Sequence, residues 1–475
     1  MTSLLDDFAA AVAQHPERVA IVDGKGREVT FAQLQDRADS FARGWHARGV
    51  RSGDRVLLAM SLDADLYAAL AALWTLGATA VLPESAMGLA GLRHAAKVTN
   101  VSAFCSSGVY GLLKLVVPEL RSLRHLRPDG RAGTDLNLPV PSATDIALIS
   151  FTSGTTGAPK AIPRSHGFLS AQHRAIAPLL HSPKSERDLV AFPVFVLINI
   201  ASGRTSVLPN WKMSRLDTLT PARLGAWITD KGVSRALLPP SLCQKLAAAT
   251  IPASLHTVFT GGGPVFPDIL DRLKAAKTDL NITCVYGSTE AEPIAHLNAA
   301  DICADDLGAM AGGSGLLVGL PVDDIRLRIN DHEIQVAGAH VNNGYLDPIQ
   351  DSENKIREGS TIWHRTGDAG YIDDQGRIWL LGRMGSQVSL AGRTTFPFSV
   401  EVAARQWDGV NQCAVMSGED TVYLAIEGDA RHETKWRKRA VEFNIDRVIC
   451  VTKMPMDKRH ASKIDRNALK RIVLS

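Results

Sequence analysis

The stretch SFTSGTTGAPKAI, residues Ser150–Ile162, decides how this chain is interpreted. It follows the apolar run IALI, Ile146–Ile149, which is typical of a buried strand, and consists mainly of small residues before a single lysine. Small residues after a strand let backbone N–H groups turn towards an anion, hydroxyls add donors, and Lys160 adds a positive charge. A polyphosphate suits this composition, although by composition alone a flexible turn is the commoner case.

The length and composition indicate a globular protein of more than one domain. The chain has 475 residues, of which 45% are hydrophobic and 21% charged. This length favours a large α/β domain plus a smaller one. Lys and Arg exceed Asp and Glu by 52 − 49 = 3, and so even a balance argues against nucleic acid as the main partner.

The cysteines and the N-terminus favour a cytoplasmic protein. Six cysteines are widely spaced without a C-x-x-C pair, which argues for reduced thiols rather than metal clusters or disulfides. Asp6 and Asp7 stand where a signal peptide would carry basic residues. The longest apolar stretch, Leu66–Pro83, is broken at Gly77, so we expect a buried helix, turn and strand rather than a membrane span.

The order of predicted elements indicates a parallel sheet. A capping box, Thr30 and Gln33, begins an amphipathic helix. RVLLAM predicts a strand, Leu66–Leu76 a helix and ATAVLP another strand, which together form a βαβ unit. After the polar connector Leu126–Asp145 the alternation of strands and helices resumes, with NITCVYG leading into STEAE. Beyond Gly319 the chain changes to short strands and glycine turns.

The sequence resembles the adenylate-forming superfamily of acyl-CoA synthetases, peptide-synthetase adenylation domains and luciferases. FTSGTTGAPK resembles its phosphate loop and lacks the G-K-[ST] of a Walker A motif. VYGSTEAEP is similar to its Y-G-x-T-E motif, and HEIQVAGAHVNNGYLD to its G-E-L-x-V-x-G…G-Y segment. HRTGDAGYIDDQGRIWLLGR is similar to its R-T-G-D…G-R block, and MPMDKRHASKIDR to its segment with an essential lysine, here Lys463. The resemblance runs from Thr30 to Arg466.

The resemblance implies the fold class and the domains. It implies an α/β fold whose large N-terminal domain, residues 1–382, contains βαβ subdomains and a short β-rich subdomain and holds the ATP and acid site. A small, mobile α+β domain, residues 383–475, would carry the catalytic lysine.

The implied reaction is attack of a carboxylate on the α-phosphorus of ATP, which gives an acyl-adenylate and pyrophosphate. Glu290 would hold Mg²⁺, since a hard cation prefers carboxylate oxygen. Thr289 would contact the α-phosphate, and Lys463 would bridge it to the carboxylate as negative charge develops. The resemblance gives the remaining nucleotide contacts as Thr152, Ser153, Gly154, Thr155, Thr156, Gly157 and Lys160 for the phosphates; Gly261, Gly262, Gly263, Tyr286, Gly287 and Ser288 around the adenine; and Asp368 and Arg383 for the ribose.

The segment FPVFVLINIASG predicts an apolar acyl group. Amino-acid-activating members place an Asp after the Phe, where this chain has Pro193, and an apolar wall cannot anchor an ammonium cheaply. We therefore expect a fatty, hydroxy-fatty or aryl acid rather than an α-amino acid. Glu292 would either meet a polar substituent or lie on a helix surface. The predicted acyl pocket comprises Phe192, Val194, Phe195, Val196 and Glu292.

The acceptor of the acyl group stays open between a thiol and the substrate's own hydroxyl. Gly385 replaces the usual charged hinge residue, Ser389 replaces a frequent lysine, and the C-terminal domain is short. These departures weaken the case for transfer to CoA or to a carrier protein supplied in trans. DKRHASKIDR and YGSTEAEPI also resemble the β-lactone synthetase and fatty-acyl ligase subgroup. A non-catalytic ATP-binding relic and a kinase-like phosphotransferase are remoter alternatives.

Two further features are assigned structural roles. His166 is expected to start a helix rather than to act in catalysis. The basic run Arg431–Arg439 is expected to form the solvated face of a helix.

Overall fold

The helix predicted from the capping box begins as expected. A computed structural model describes residues 3–83, 87–132, 136–152, 159–390, 393–418, 421–456 and 464–473. In it, α2 spans Phe31–Ala47. The backbone N–H of Gln33 donates to Thr30 Oγ1 at 3.2 Å, and the N–H of Thr30 donates to Gln33 Oε1 at 3.1 Å. Both bonds satisfy N–H groups that the first turn of a helix leaves unpaired.

A six-stranded sheet forms the first part of the fold. Its strands are β3 (Arg55–Ala59), β4 (Thr79–Leu82), β5 (Ala103–Ser106), β6 (Arg124–Leu126), β7 (Ile146–Thr152) and β8 (Lys160–Ser165), and the helices within this part of the chain are α3 (Ala64–Thr75), α4 (Gly88–Val98), α5 (Leu113–Val116) and α6 (His166–Ile176). The order is β6-β5-β3-β4-β7-β8, and every pair is parallel except β7 and β8. The opening stretch therefore joins two antiparallel strands, and the helix that follows begins at His166 as predicted.

The larger, 14-stranded sheet is half parallel and half antiparallel. Its strands are β1 (Val19–Val22), β2 (Glu28–Thr30), β9 (Arg187–Val190), β10 (Thr205–Val207), β11 (Arg235–Leu238), β12 (Thr257–Gly261), β13 (Asn281–Ser288), β14 (Ala291–Asn298), β15 (Leu316–Pro321), β16 (Ile325–Asn330), β17 (Glu333–Gly338), β18 (Lys355–Glu358), β19 (Thr361–Ile372) and β20 (Ile378–Arg383). Strands β1, β10, β9, β11, β12 and β13 run parallel, and the pairs from β13 to β20 are antiparallel.

Helices accompany this larger sheet along the chain. They are α1 (Leu4–Gln14), α7 (Pro193–Ala201), α8 (Pro221–Asp230), α9 (Pro240–Ala247), α10 (Pro267–Ala276), α11 (Ala304–Ala311) and α12 (Pro348–Asn354). The β-rich region expected beyond Gly319 thus continues the edge of the parallel sheet.

The C-terminal part combines short strands with three helices. They are β21 (Val388–Leu390), β22 (Arg393–Thr395), β23 (Val410–Ser417), β24 (Val422–Gly428), β25 (Arg447–Cys450), α13 (Pro397–Ala404), α14 (Glu433–Glu442) and α15 (Arg466–Val473). On α14 the basic residues of the run are exposed while Trp436 is buried, as predicted for a solvated face. A domain boundary between residues 382 and 383 stays a prediction.

One predicted strand–helix unit is instead a hairpin. NITCVYG continues as β13 to Ser288, turns at Thr289 and Glu290, and returns as the antiparallel β14. Along β14 the residues Ala291, Pro293, Ala295 and Leu297 are buried, and of the alternate residues all but the buried Ile294 are half-buried. This period of two is that of a strand, and it overrides the expectation of a helix after the motif.

A buried ion pair fixes α7 on the parallel sheet. Arg235 on β11 donates from Nε to Asp188 Oδ1 at 2.7 Å and from Nη2 to Asp188 Oδ2 at 2.8 Å. Asn199 on α7 donates to the same carboxylate at 3.1 Å. The two charged side chains are 3% and 0% exposed. Helix α7 forms most of the segment predicted to line the acyl pocket. The ion pair and Asn199 thereby tie this helix to β9 and β11.

The long apolar stretch forms a buried helix and strand, as expected. Helix α3 is buried along most of its length, and Gly77 turns the chain into β4. Among the described residues no helix is long and apolar enough to cross a membrane. All six cysteines are free thiols.

Candidate active site

Three side chains from separate strands meet at the predicted ribose site. In register, β19 and β20 pair Asp368 with Arg383, and Arg383 Nη1 lies 2.7 Å from Asp368 Oδ1. The Tyr286 hydroxyl, from β13, donates to Asp368 Oδ2 at 2.8 Å. Burial and the adjacent Asp368 hold the pKa of Tyr286 well above its usual value, so the hydroxyl remains a donor. The carboxylate is thus oriented from two sides, and such an acceptor suits a pair of ligand hydroxyls.

The predicted adenine glycines lie beside this group. Gly261 ends β12 and pairs with Val285, the residue before Tyr286. Gly262 has a φ of +73°, and a Cβ there would come within 3.1 Å of the Phe192 ring. Any other residue would be strained and would press on that ring. The glycines therefore keep the backbone open to close approach by a flat ligand, and Gly263 follows in the same bend.

A second cluster surrounds Glu290 in the β13–β14 turn. The Tyr345 hydroxyl donates to Glu290 Oε1 at 2.9 Å, and the backbone N–H of Asn342 donates to the Glu290 carbonyl at 2.7 Å. Lys160 Nζ lies 5.4 Å from the centre of the Tyr345 ring and donates to Asn354 Oδ1 at 3.0 Å. The predicted metal ligand therefore accepts from the hydroxyl of Tyr345, and the predicted phosphate-binding lysine lies over the ring of the same tyrosine.

The electrostatics of this cluster keep Glu290 ionised. Burial alone would raise the pKa of the Glu290 carboxyl, but His364, the Tyr345 hydroxyl and Lys355 outweigh burial and lower it. Burial lowers the pKa of Lys355 to about 7, although Glu290 opposes this shift. An ionised, partly hydrogen-bonded carboxylate is the kind of ligand that a hard divalent cation prefers.

Sequence reasoning missed several residues of these clusters. Tyr345 lies in the motif HEIQVAGAHVNNGYLD, but the motif alone does not indicate a role for it. Lys355 stands in ENKIREG, where nothing distinguishes it from a solvated lysine. Arg164 lies two residues before His166 and carries no local signal of a functional role. It is buried, and its Nη2 donates to the Thr289 carbonyl at 2.8 Å. This bond holds the backbone of the predicted α-phosphate contact.

A mainly apolar cavity adjoins the glycines. Phe192 and Phe195 line it, as predicted. Val196 instead lies in the hydrophobic core at 0% exposure, and Val194 packs against that core. Phe192 precedes α7 and Phe195 lies in its first turn, and because an α-helix has 3.6 residues per turn, Val194 and Val196 point in other directions than Phe195. The lining residues are Ile176, Leu179, Leu180, Phe192, Phe195, Leu237, Phe259, Thr260, Gly261, Gly262, Val285 and Glu292.

Glu292 lies on a strand, and the alternative placement on a helix surface is wrong. It stands on β14 and lines the cavity. Burial raises the pKa of its carboxyl to about 7, while the charge of Arg164 opposes the shift. The hairpin causes this placement, since a two-residue turn directs Glu290 and Glu292 to the same end of the sheet.

Part of the predicted site lies outside the described residues. Thr152 pairs with Lys160 across β7 and β8, whereas Ser153–Gly157 and Lys463 are not described. Next to Lys463, Ile464 forms a bridge with Met456. Arg466 Nη2 lies 2.7 Å from Glu401 Oε1 on α13 and its Nη1 donates to the Val415 carbonyl on β23 at 2.9 Å, which ties the start of α15 to that helix and to the C-terminal sheet.

The departure at the predicted hinge has a backbone reason. Gly385 has a φ of +76°, and no atom would contact a Cβ placed there. A side chain would have room but would be strained by the left-handed conformation. Glycine thus suits this bend without the usual charge, and Ser389 follows in β21.

The fold and the clusters together define a class of protein. A parallel sheet that continues into an antiparallel one, with the Tyr286–Asp368–Arg383 and Glu290–Tyr345–Lys160 clusters beside an apolar cavity, is the arrangement expected of an adenylate-forming enzyme. The sequence profile of the AMP-binding enzyme family matches residues 8–346. The chain belongs to that family, and it is an AMP-forming acid ligase, as the motifs indicated.

Curated relatives and solved structures agree with this membership. The chain is 28% identical to an olefin beta-lactone synthetase of Stenotrophomonas maltophilia, over 92% of this chain and 90% of the relative. It is 26% identical to a 2-succinylbenzoate–CoA ligase of Geobacillus kaustophilus, over 96% of both chains. Its fold matches the o-succinylbenzoate coenzyme A synthetase of Bacillus subtilis in complex with ATP and a magnesium ion, with a TM-score of 0.79, 20% identity, and coverage of 98% of this chain and 99% of that one.

Proposed function

We propose that the chain activates an apolar carboxylic acid with ATP and Mg²⁺, giving an acyl-adenylate and pyrophosphate. The observation that carries the proposal is the convergence of the two polar clusters, around Asp368 and around Glu290, beside the apolar cavity. Hydroxyl-binding, cation-binding and acyl-binding groups then lie at one end of the sheet. Catalysis would consist mainly of positioning and of stabilising the charge that develops on the phosphates.

Each cluster has a part in this proposal. Asp368, held by Tyr286 and Arg383, accepts hydrogen bonds from the ribose hydroxyls. Glu290 would hold Mg²⁺, which supplies charge neutralisation at the phosphates. Lys160 adds a cation over the ring of Tyr345. Thr289 would contact the α-phosphate, Lys463 would bridge it to the carboxylate, and Ser153–Gly157 would bind the phosphates.

The cavity supports an apolar acyl group. Aromatic and aliphatic side chains form most of its wall, and Pro193 stands at the start of α7 where an ammonium-binding Asp would be needed. A fatty, hydroxy-fatty or aryl acid fits this wall.

We propose two alternatives for the step that follows adenylation. The acyl group passes to a thiol, CoA or a carrier protein, as the name of the Geobacillus relative suggests. Alternatively, a β-hydroxy acid closes on itself to a β-lactone, which the relatives named olefin beta-lactone synthetase favour. In ring closure the hydroxyl is already tethered near the mixed anhydride, so proximity replaces a second bound substrate.

Mass spectrometry of the products distinguishes these candidates. The enzyme is incubated with ATP, Mg²⁺ and a library of fatty, 3-hydroxy and aryl acids, with and without CoA. Pyrophosphate and AMP support the adenylation step, whereas ADP would indicate a phosphotransferase. A product lighter than the acid by one water, formed without a thiol, identifies the lactone synthetase. A thioester formed only with CoA or a carrier protein identifies the ligase.

Replacement of Asp368 by Ala should raise the Kd for ATP by roughly 10-fold or more, because ligand hydroxyls lose a charged acceptor. Isothermal titration with ATP measures the effect. Asp374→Ala is the control, since Asp374 is exposed in the turn that follows β19, the strand of Asp368. Wild-type affinity in Asp368→Ala would contradict the ribose role.

Replacement of Glu290 by Gln should raise the Mg²⁺ concentration needed for half-maximal adenylation, because an amide oxygen is a poorer ligand than a carboxylate. The rate at each Mg²⁺ concentration is followed by pyrophosphate release. Glu353→Gln, an exposed substitution on α12, serves as the control. An unchanged Mg²⁺ requirement in the Glu290 variant would remove the metal role.

A further inference from the structure

The acyl cavity contains one acidic side chain among apolar neighbours. Of the described residues that line it, only Thr260 and Glu292 have polar side chains. The Thr260 hydroxyl already accepts from Cys243 Sγ at 3.3 Å. For the Glu292 carboxyl, no described residue donates a hydrogen bond. A half-buried acceptor of this kind needs a donor, and the cavity is the side from which one can come.

The neighbouring charge argues that the donor is uncharged. Arg164 is 4% exposed and close enough to interact electrostatically with both Glu290 and Glu292. Its Nη2 is bound to the Thr289 carbonyl, and its Nε has no partner among the described residues. Because this buried guanidinium already balances the carboxyl, an ammonium group in the cavity would meet a second positive charge. A hydroxyl supplies a donor without that repulsion.

We infer that Glu292 makes the cavity selective for acids whose acyl group carries a hydroxyl. This inference rests on the proposed function and narrows its substrate class. The rest of the wall holds the hydrocarbon, and the hydroxyl donates to the Glu292 carboxyl. An acid without the hydroxyl leaves this acceptor unpaired on binding, and that loss disfavours it. Selection therefore comes from exclusion of the plain acid as much as from attraction of the hydroxy acid.

The test compares matched acids that differ only by the hydroxyl. Decanoic and 3-hydroxydecanoic acids form one pair, and 3-phenylpropanoic and 3-hydroxy-3-phenylpropanoic acids form another. ATP–pyrophosphate exchange reports adenylation alone, whatever the acceptor in the second step. Of the two pairs, we consider the one that the wild-type enzyme adenylates with the higher kcat/KM. Within that pair we expect kcat/KM to be about 10- to 100-fold higher for the hydroxy acid than for the plain acid.

Substitutions then locate the selectivity. Glu292→Leu should abolish the preference by gaining activity on the plain acid, whereas Glu292→Gln, which keeps an acceptor oxygen, should retain part of it. Thr260→Val removes the other polar side chain of the wall and should leave the preference unchanged. The KM for ATP should not change in Glu292→Leu, which separates loss of selectivity from damage to the Glu290 cluster.

The outcomes separate the inference from the function on which it rests. If exchange occurs equally with both members of each pair in the wild type, the proposed function stands and the inference is overturned without reference to any variant. A preference that persists in Glu292→Leu, or that disappears in Thr260→Val, also overturns it. If no acid supports exchange, the proposed function is wrong and the inference falls with it.

Discussion

Replacement of Lys463 by Ala is expected to slow acid-dependent ATP–pyrophosphate exchange by roughly 10²–10³-fold or more, the usual cost of losing one donor in the transition state. The lysine belongs to the segment MPMDKRHASKIDR, whose resemblance assigns it to the carboxylate and the α-phosphate. Because Asp368 and Lys160 belong to other parts of the chain, the Kd for ATP should remain close to that of the wild type. Exchange and ATP titration are measured on the same preparation.

The control for this variant is Lys470→Ala. Lys470 is exposed on α15, so the substitution removes an equal charge from the same end of the chain. It should leave the exchange rate unchanged. Exchange at the wild-type rate in Lys463→Ala would show that the assignment is wrong, and loss of ATP binding would indicate a structural role instead.

Replacement of Arg235 by Ala is expected to lower the free energy of unfolding by about 3–5 kcal/mol, because it leaves the buried Asp188 carboxylate without its partner. Asp188 is 0% exposed, so water cannot replace the two hydrogen bonds that are lost. Among the residues that the structure describes, Asn199 on α7 would be the one hydrogen-bond donor left to the carboxylate. Unfolding in urea, followed by tryptophan fluorescence, measures the loss.

Arg48→Ala is the matched control for the burial of this pair. Arg48 donates two bonds to Asp129, at 2.6 and 2.9 Å, but the side chains are 32% and 51% exposed. Its loss should cost no more than about 1 kcal/mol. Equal effects of the two substitutions would mean that burial does not determine the contribution of the Arg235 pair. The double variant Arg235→Met with Asp188→Leu should be less destabilised than Arg235→Ala, since it removes both charges.

Local sequence patterns predicted the features that depend on neighbouring residues. The capping box at Thr30, the helix start at His166, the buried stretch Leu66–Pro83 and the solvated face of α14 all have the expected structure. Each depends on contacts within one turn or on the period of one element. The family resemblance assigned Asp368 and Arg383 to one site, and the β19–β20 hairpin places the two residues in register.

The local sequence did not distinguish a helix from a strand after the motif that ends β13. STEAE was expected to form a helix, but Thr289 and Glu290 form a turn and the chain returns as β14, the second strand of a hairpin. That difference moves Glu292 from a helix surface to the wall of the cavity. The choice depends on pairing with β13 and β15, which a short window of sequence does not contain.

By itself the sequence determined the superfamily and the adenylation chemistry, because motifs of catalytic residues are short and contiguous, and it predicted most of the order of strands and helices. Only the tertiary structure decided that Tyr345 contacts both Glu290 and Lys160, that Lys355 is buried, and that Arg164 lies near Glu292. Those residues come from distant parts of the chain. Their burial and their partners arise when the sheets bring separate strands together, and an isolated lysine or arginine carries no local signal of that environment.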